Sequence, residues 1–296
     1  MSALRALVAG ELAEAVDPKV SAMAAAVAAQ HGTASRAVLF YGSCLRESQL
    51  EGLMLDFYLI VSDYREAYPK RWLATANRLI PPNVFPLAHE GLSAKYAVLS
   101  ESDFARECSP DAPTVSVYAR FAQPARLVWA ADEAAQERAI ATVATAAPTL
   151  LGLIQPVASE EEAGDPLALW RKAFAYTYRA ELRAERRARA GSIVDSDPDR
   201  YARIAEAIGI EPRDFSPAER AAAEARWRAL QRRGKRTSVY RLAKASFTFA
   251  GGVEYLAWKI SRHSGEEIVL KPWQRRWPLL AAITLLPRLV RRGAIR

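Results

Sequence analysis

Residues 37–61 read AVLFYGSCLRESQLEGLMLDFYLIV. Residues 37–41 form a short apolar run that stops at Gly42, and residues 55–61 form a second run broken only by Asp56. Runs of this length, rich in aromatic and aliphatic side chains, suit buried strands better than helices. A carboxylate near the start of a buried strand is costly unless something pairs with it, and a metal ion is one such partner. Gly42-Ser43 ends the first run and offers what a phosphate needs: a backbone that can come close, free N–H groups and a hydroxyl. The same residues, taken alone, also describe a core strand, an ordinary Gly-Ser turn and an Asp that caps the next strand.

Before this stretch, residues 2–30 are rich in Ala and Leu at helical spacing and are broken at Asp17-Pro18, which predicts two helices. After it, residues 65–79 restart as a helix beyond Pro69, with Trp72, Leu73, Ala76 and Leu79 along one face. Pro81-Pro82 forbids its continuation. Residues 95–100 and 125–130 read as strands, and 115–118 is apolar but ambiguous. Past Asp132, alanine and arginine rise and β-branched residues thin out. Residues 133–155, 166–190, 199–208 and 217–233 are all expected to be helical. The expected fold class is α+β: a nucleotidyltransferase-like mixed β-sheet domain with flanking helices over residues 1–132, then an α-helical domain over 133–270. Residues 271–296 form a basic and apolar tail.

The chain has 296 residues, enough for two modest domains, and ordinary apolar content for a globular protein. Its formal net charge of +8 favours anionic partners, whether nucleotide, nucleic acid or membrane surface. Cys44 and Cys108 make neither a metal-ligand spacing nor a disulfide framework, which points to a reducing, cytoplasmic setting. His31, His89 and His263 stand far apart, which disfavours a zinc site or a histidine-driven triad. The N-terminus makes a poor signal peptide, and no stretch is expected to reach the ~18 uncharged apolar residues that span a bilayer.

Two basic runs, residues 182–189 and 226–236, read first as solvated helix faces, the second also as an anion surface. In residues 273–296, Trp273 and Trp277 lead a short apolar block flanked by Arg275, Arg276, Arg288, Arg291 and Arg292. The block is too short to span and has the parts to lie in a headgroup layer, or else it packs on the protein itself.

A strand, a Gly-Ser turn, a gap of about a dozen residues and an Asp on the next strand resemble the nucleotidyltransferase superfamily. In that resemblance Tyr41, Gly42 and Ser43 hold the nucleotide's phosphates and Asp56 holds Mg²⁺. The superfamily carries a second carboxylate two positions on, where alternate strand residues share a face; here Tyr58 stands there. Further stretches narrow the resemblance: Lys95-Tyr96-Ala97-Val98, then residues 118–126 (YARFAQPAR), then residues 178–183 (YRAELR). In this order they resemble the mitochondrial-type phosphatidate cytidylyltransferase family, also called the translocator assembly and maintenance protein. That family too lacks a carboxylate two places after its metal Asp. Cys44, Ala119, Gln123, Ala180 and Glu181 depart from its pattern.

The resemblance implies Mg²⁺-dependent transfer of CMP from CTP to phosphatidic acid, giving CDP-diacylglycerol and pyrophosphate. It also implies a peripheral location on the inner face of the membrane. The expected catalytic residues are Asp56, Lys95 and Arg120, with Lys95 also on the nucleotide. Arg126, Tyr178, Glu181 and Arg183 are expected on the lipid or its phosphate. The expected partners are CTP, phosphatidic acid and an anionic membrane surface met through the C-terminal segment; no nucleic-acid partner is expected. Two alternatives stay open: the same fold acting on a soluble alcohol, a protein or an RNA end, and a degenerate nucleotide- or RNA-binding protein.

Overall fold

The computed structural model describes residues 2–46, 50, 52–181 and 193–248. Two helices open the chain, α1 (Ala3–Leu12) and α2 (Pro18–Ala29), as the sequence predicts. Pro18 sits where a helix's first N–H has no partner in any case, and the Asp17 side chain accepts from Lys19 N at 2.8 Å. Then come β1 (Ser35–Tyr41) and β2 (Met54–Val61), formed by the two apolar runs on either side of Gly42-Ser43. After β2 follow α3 (Tyr64–Ala67), α4 (Arg71–Leu79), β3 (Asn83–His89), β4 (Leu92–Ser100), α5 (Glu101–Cys108), α6 (Tyr118–Phe121) and β5 (Ala125–Ala130). The chain then continues with α7 (Glu133–Ile154), α8 (Glu160–Gly164), α9 (Pro166–Ala180), α10 (Pro198–Ile208) and α11 (Pro217–Thr248).

The five strands make one mixed sheet in the order β3-β4-β2-β1-β5. β2 runs parallel to β4, and the other neighbours are antiparallel. The fold is therefore α+β. Alternate residues of the central strands face two apolar layers. Val38, Phe40, Phe57, Leu59 and Val98 pack on α2 through Met23, Ala24 and Val27. Leu39, Tyr58, Ile60, Ala97 and Leu99 belong to a second core that runs without interruption into α7, α9 and α11, through Leu150, Trp170, Phe174 and Trp227.

Two expectations are corrected, and the apolar stripe of α4 proves only partly covered: Leu73 packs against the core, Trp72 is 49% and Leu79 74% exposed, and Ala74 and Asn77 are buried. Asn77 docks the helix, donating to the Val98 carbonyl at 2.9 Å and accepting from Asn83 N. The helix expected over 217–233 runs on to Thr248. And among the described residues one segment, Glu133–Val157, is long and apolar enough by length and composition to cross a membrane, with a mean hydropathy of 1.5 over its best window. Its inward side (Ile140, Val143, Leu150, Leu151, Ile154) lies in the core. The 178–183 stretch begins on α9, but Arg183 and the C-terminal segment of residues 271–296 lie outside the described residues.

Candidate active site

The register of the sheet assembles the site. Tyr41, the last residue of β1, stands opposite Asp56 on β2, and Asp56 stands beside Lys95 on β4. The three therefore share one face at one end of the sheet. Lys95 Nζ lies 2.9 Å from Asp56 Oδ1, and both side chains are only partly exposed. That ion pair is the partner the buried-strand carboxylate needed. The turn after Tyr41 then brings Gly42 over Asp56. Gly42 has φ +97°, a conformation L side chains rarely adopt, and a Cβ there would come within 3.6 Å of Asp56 Oδ2. Ser43, exposed, opens a short 3₁₀ turn, Ser43–Arg46.

Tyr58, at the place of the superfamily's second carboxylate, is buried. Its ring lies 5.2 Å from that of Tyr41 and 5.3 Å from that of Phe121. Burial is the main cause that raises its pKa, so the phenol stays protonated and offers no negative charge where the superfamily has its second carboxylate. The position does structural work instead.

A cavity of ≈ 180 Å³ opens on this face. Tyr41, Tyr58, Lys95 and Arg120 line it together with Phe57, Pro82, Val84 and Ala97. Arg120, on α6, donates to the Ser116 carbonyl and lies 3.4 Å from Glu181 Oε1. Burial alone would lower the Arg120 pKa; Glu181, then Tyr58, Tyr41 and Asp56, more than reverse that and hold it charged. Glu181, at the end of α9, also accepts from the Ser116 hydroxyl. The structure thus brings Arg120 and Glu181 together with the Asp56–Lys95 pair.

Two expected residues stand elsewhere. Arg126 is in register with Phe40, on the opposite face of the sheet, and its guanidinium pairs with Glu14. Arg120 and Arg126 are close in sequence, yet the end of α6 and the start of β5 lie between them and turn the two side chains apart. Tyr178 packs partly buried against the helical core and does not line the cavity.

Two further cavity residues carry no mark in the sequence: Arg241 and Lys244, both on α11. Arg241 donates from Nε to the Pro81 carbonyl and from Nη1 to the Ser116 hydroxyl, each at 2.7 Å. Lys244 donates to the Ile80 carbonyl and, at 2.8 Å, to that of Pro82. Neither stands out by spacing or context from the other basic residues of the same helix. The run of residues 226–236 is mostly a solvated face, with Trp227, Leu230 and Gly234 as its buried side.

Among the described residues no three His, Cys, Asp or Glu side chains cluster to hold a metal ion. Magnesium does not need such a cage. It keeps several waters and takes one or two carboxylates plus its substrate's phosphates. Asp56 fits that role: Oδ1 faces Lys95, and Oδ2 faces the space that Gly42's missing side chain leaves open. No protein-family model and no curated protein matches the chain.

Proposed function

We propose that this protein is a nucleotidyltransferase that moves CMP from CTP to phosphatidic acid, releasing pyrophosphate. One observation carries the reading: a left-handed Gly42 turn set against the Asp56 carboxylate, with Lys95 and Arg120 in the same cavity. In-line attack at the α-phosphorus asks the protein for positioning and charge neutralisation more than for covalent chemistry. The backbone at Gly42 and the Ser43 hydroxyl would take the nucleotide's phosphates. Asp56 would hold Mg²⁺, which when bound offsets charge on the leaving pyrophosphate. Lys95 would turn from Asp56 toward the triphosphate, and Arg120, held by Ser116 and Glu181, would keep its charge on the acceptor's side.

The acceptor follows from what the site lacks. An alcohol must lose a proton as it attacks, and the place where a second carboxylate could assist holds the buried, protonated Tyr58. A phosphate monoester has a second pKa of about 6 and arrives already ionised. The setting also suits an amphiphilic acceptor. Leu79 and Tyr240, both exposed, adjoin Ile80, whose carbonyl holds Lys244, and Arg241 of the cavity wall. The test is to incubate the pure full chain with Mg²⁺, phosphatidic acid and each nucleoside triphosphate in turn, then to identify the lipid product. CDP-diacylglycerol from CTP supports the reading; a nucleotidylated lipid from another triphosphate would change the base, and no nucleotidylated lipid from any would reject it.

A further inference from the structure

We propose that Arg241 and Lys244, on the last described helix, form the binding site for the acceptor's phosphate monoester, in the cavity that Tyr41, Lys95 and Arg120 also line. This rests on the nucleotidyltransferase reading for the word acceptor, but not for the anion site itself.

The argument is one of charge. Four cations line the cavity: Lys95, Arg120, Arg241 and Lys244. Two are matched by carboxylates, Lys95 by Asp56 at 2.9 Å and Arg120 by Glu181 at 3.4 Å. The other two are held by neutral oxygens, the carbonyls of residues 80–82 and the Ser116 hydroxyl, and have no ion-pair partner among the described residues. Glu107 and Glu181 attract Arg241 only from beyond ion-pair range. Arg241 and, in its protonated form, Lys244 are half-buried with no ion-pair partner among the described residues, which raises the energy of the empty protein, and an anion of charge near −2 would relieve it. A phosphate monoester at neutral pH carries about that charge.

The geometry agrees. Arg241 and Lys244 are three residues apart on α11, so they present to the same side. Each is already oriented by two hydrogen bonds, so little side-chain freedom remains to be lost on binding. Ser116 joins the two halves: its hydroxyl accepts from Arg241 and donates to Glu181, and its carbonyl accepts from Arg120. Arg120 thus stands between the unmatched pair and Asp56. Burial, and then the neighbouring Arg241, draw Lys244 down to about 7, and a bound dianion would push it back up.

Glycerol 3-phosphate is a soluble probe for the full chain. Wild type is expected to bind it, and the R241Q/K244Q double variant to bind it roughly 10- to 100-fold more weakly per cation removed. The R241K/K244R variant, which keeps both charges, is expected to retain most of the binding. Thermal melts establish that each variant folds. Should the double variant not fold, the Lys244 ammonium titration in labelled wild type decides: its midpoint, near 7, is expected to rise on adding glycerol 3-phosphate. Equal binding by R241Q/K244Q, an unmoved midpoint or no binding by wild type overturns the proposal. So does competition in which Mg·CTP displaces glycerol 3-phosphate and is itself lost in the double variant, for the pair would then belong to the nucleotide. Binding of glycerol 3-phosphate by a wild type that turns over no nucleotide would uphold the anion site and reject the transferase reading.

Discussion

Asp56 sits where one substitution can separate the proposed catalysis from folding. Its ion pair with Lys95 is partly exposed, so it contributes only about 0.2–1 kcal/mol to stability. In the proposed reaction it is the carboxylate that would hold Mg²⁺, so its removal should matter far more to turnover. Asp56→Ala is therefore expected to lower nucleotidyl transfer by roughly 100-fold or more while moving the unfolding free energy by about 1 kcal/mol at most. Steady-state rates and urea melts of the same preparation check both. Lys244 makes the complementary prediction. An unfolded lysine titrates near 10.4, whereas this one is drawn down to about 7. Between those values the unfolded chain binds a proton that the folded chain has released. The Lys244 contribution to stability thus rises as pH climbs from 7 toward 10 and is flat below 7. Wild type should accordingly gain on Lys244→Met in denaturation midpoint across that window. A difference between the two that does not change with pH would mean that Lys244 is as solvated as a surface lysine.

At the scale of elements, α11 decides whether the cavity has its second pair of cations, and a glycine decides how α11 is seated. A Cβ on Gly234 would clash with the Ala180 carbonyl oxygen, at the end of α9. Helix propensity alone says that Gly→Ala in a helix interior stabilises by up to ~1 kcal/mol. Here the obstacle is backbone, which cannot swing aside. Gly234→Ala is expected to lower the melting temperature by several degrees and to cut activity, because Glu181 follows Ala180 and holds Arg120. A higher melting temperature would show that α11 packs less closely on α9. The same elements show what the sequence could reveal. β1, β2 and their turn were legible because an uninterrupted apolar run that ends at Gly, followed by a second that opens at Asp, fits little besides a pair of buried strands. β3 was not, because Pro86 interrupts it; the strand tolerates a proline because it is the sheet's edge. How α4 docks was not legible, because a polar residue, Asn77, makes its contact to β4. Lys95 and Arg120 were identified through family resemblance, whereas Arg241 and Lys244 could be separated from their basic neighbours only by the packing of a helix from the other end of the chain.

For the whole molecule, the sheet's second apolar face has no cover of its own within residues 1–132 beyond α1, α5 and α6. Leu39, Tyr58 and Ile60 share their core with Leu150, Trp170 and Phe174 from the later helices. A fragment of residues 1–132 is expected to lack a cooperative melt and to bind a hydrophobic dye, whereas the full chain unfolds in one transition. An independently folding fragment would show that the shared core is dispensable to the sheet. The site depends on the same union, since β1, β2 and β4 bring Asp56 and Lys95, and α11 brings Arg241 and Lys244. The most direct test of the central claim is pyrophosphate release by the pure full chain with Mg²⁺ and CTP, measured with phosphatidic acid and with diacylglycerol of the same acyl chains. Pyrophosphate with phosphatidic acid and none with diacylglycerol is the predicted result. Release with diacylglycerol, or none with either lipid, would contradict it.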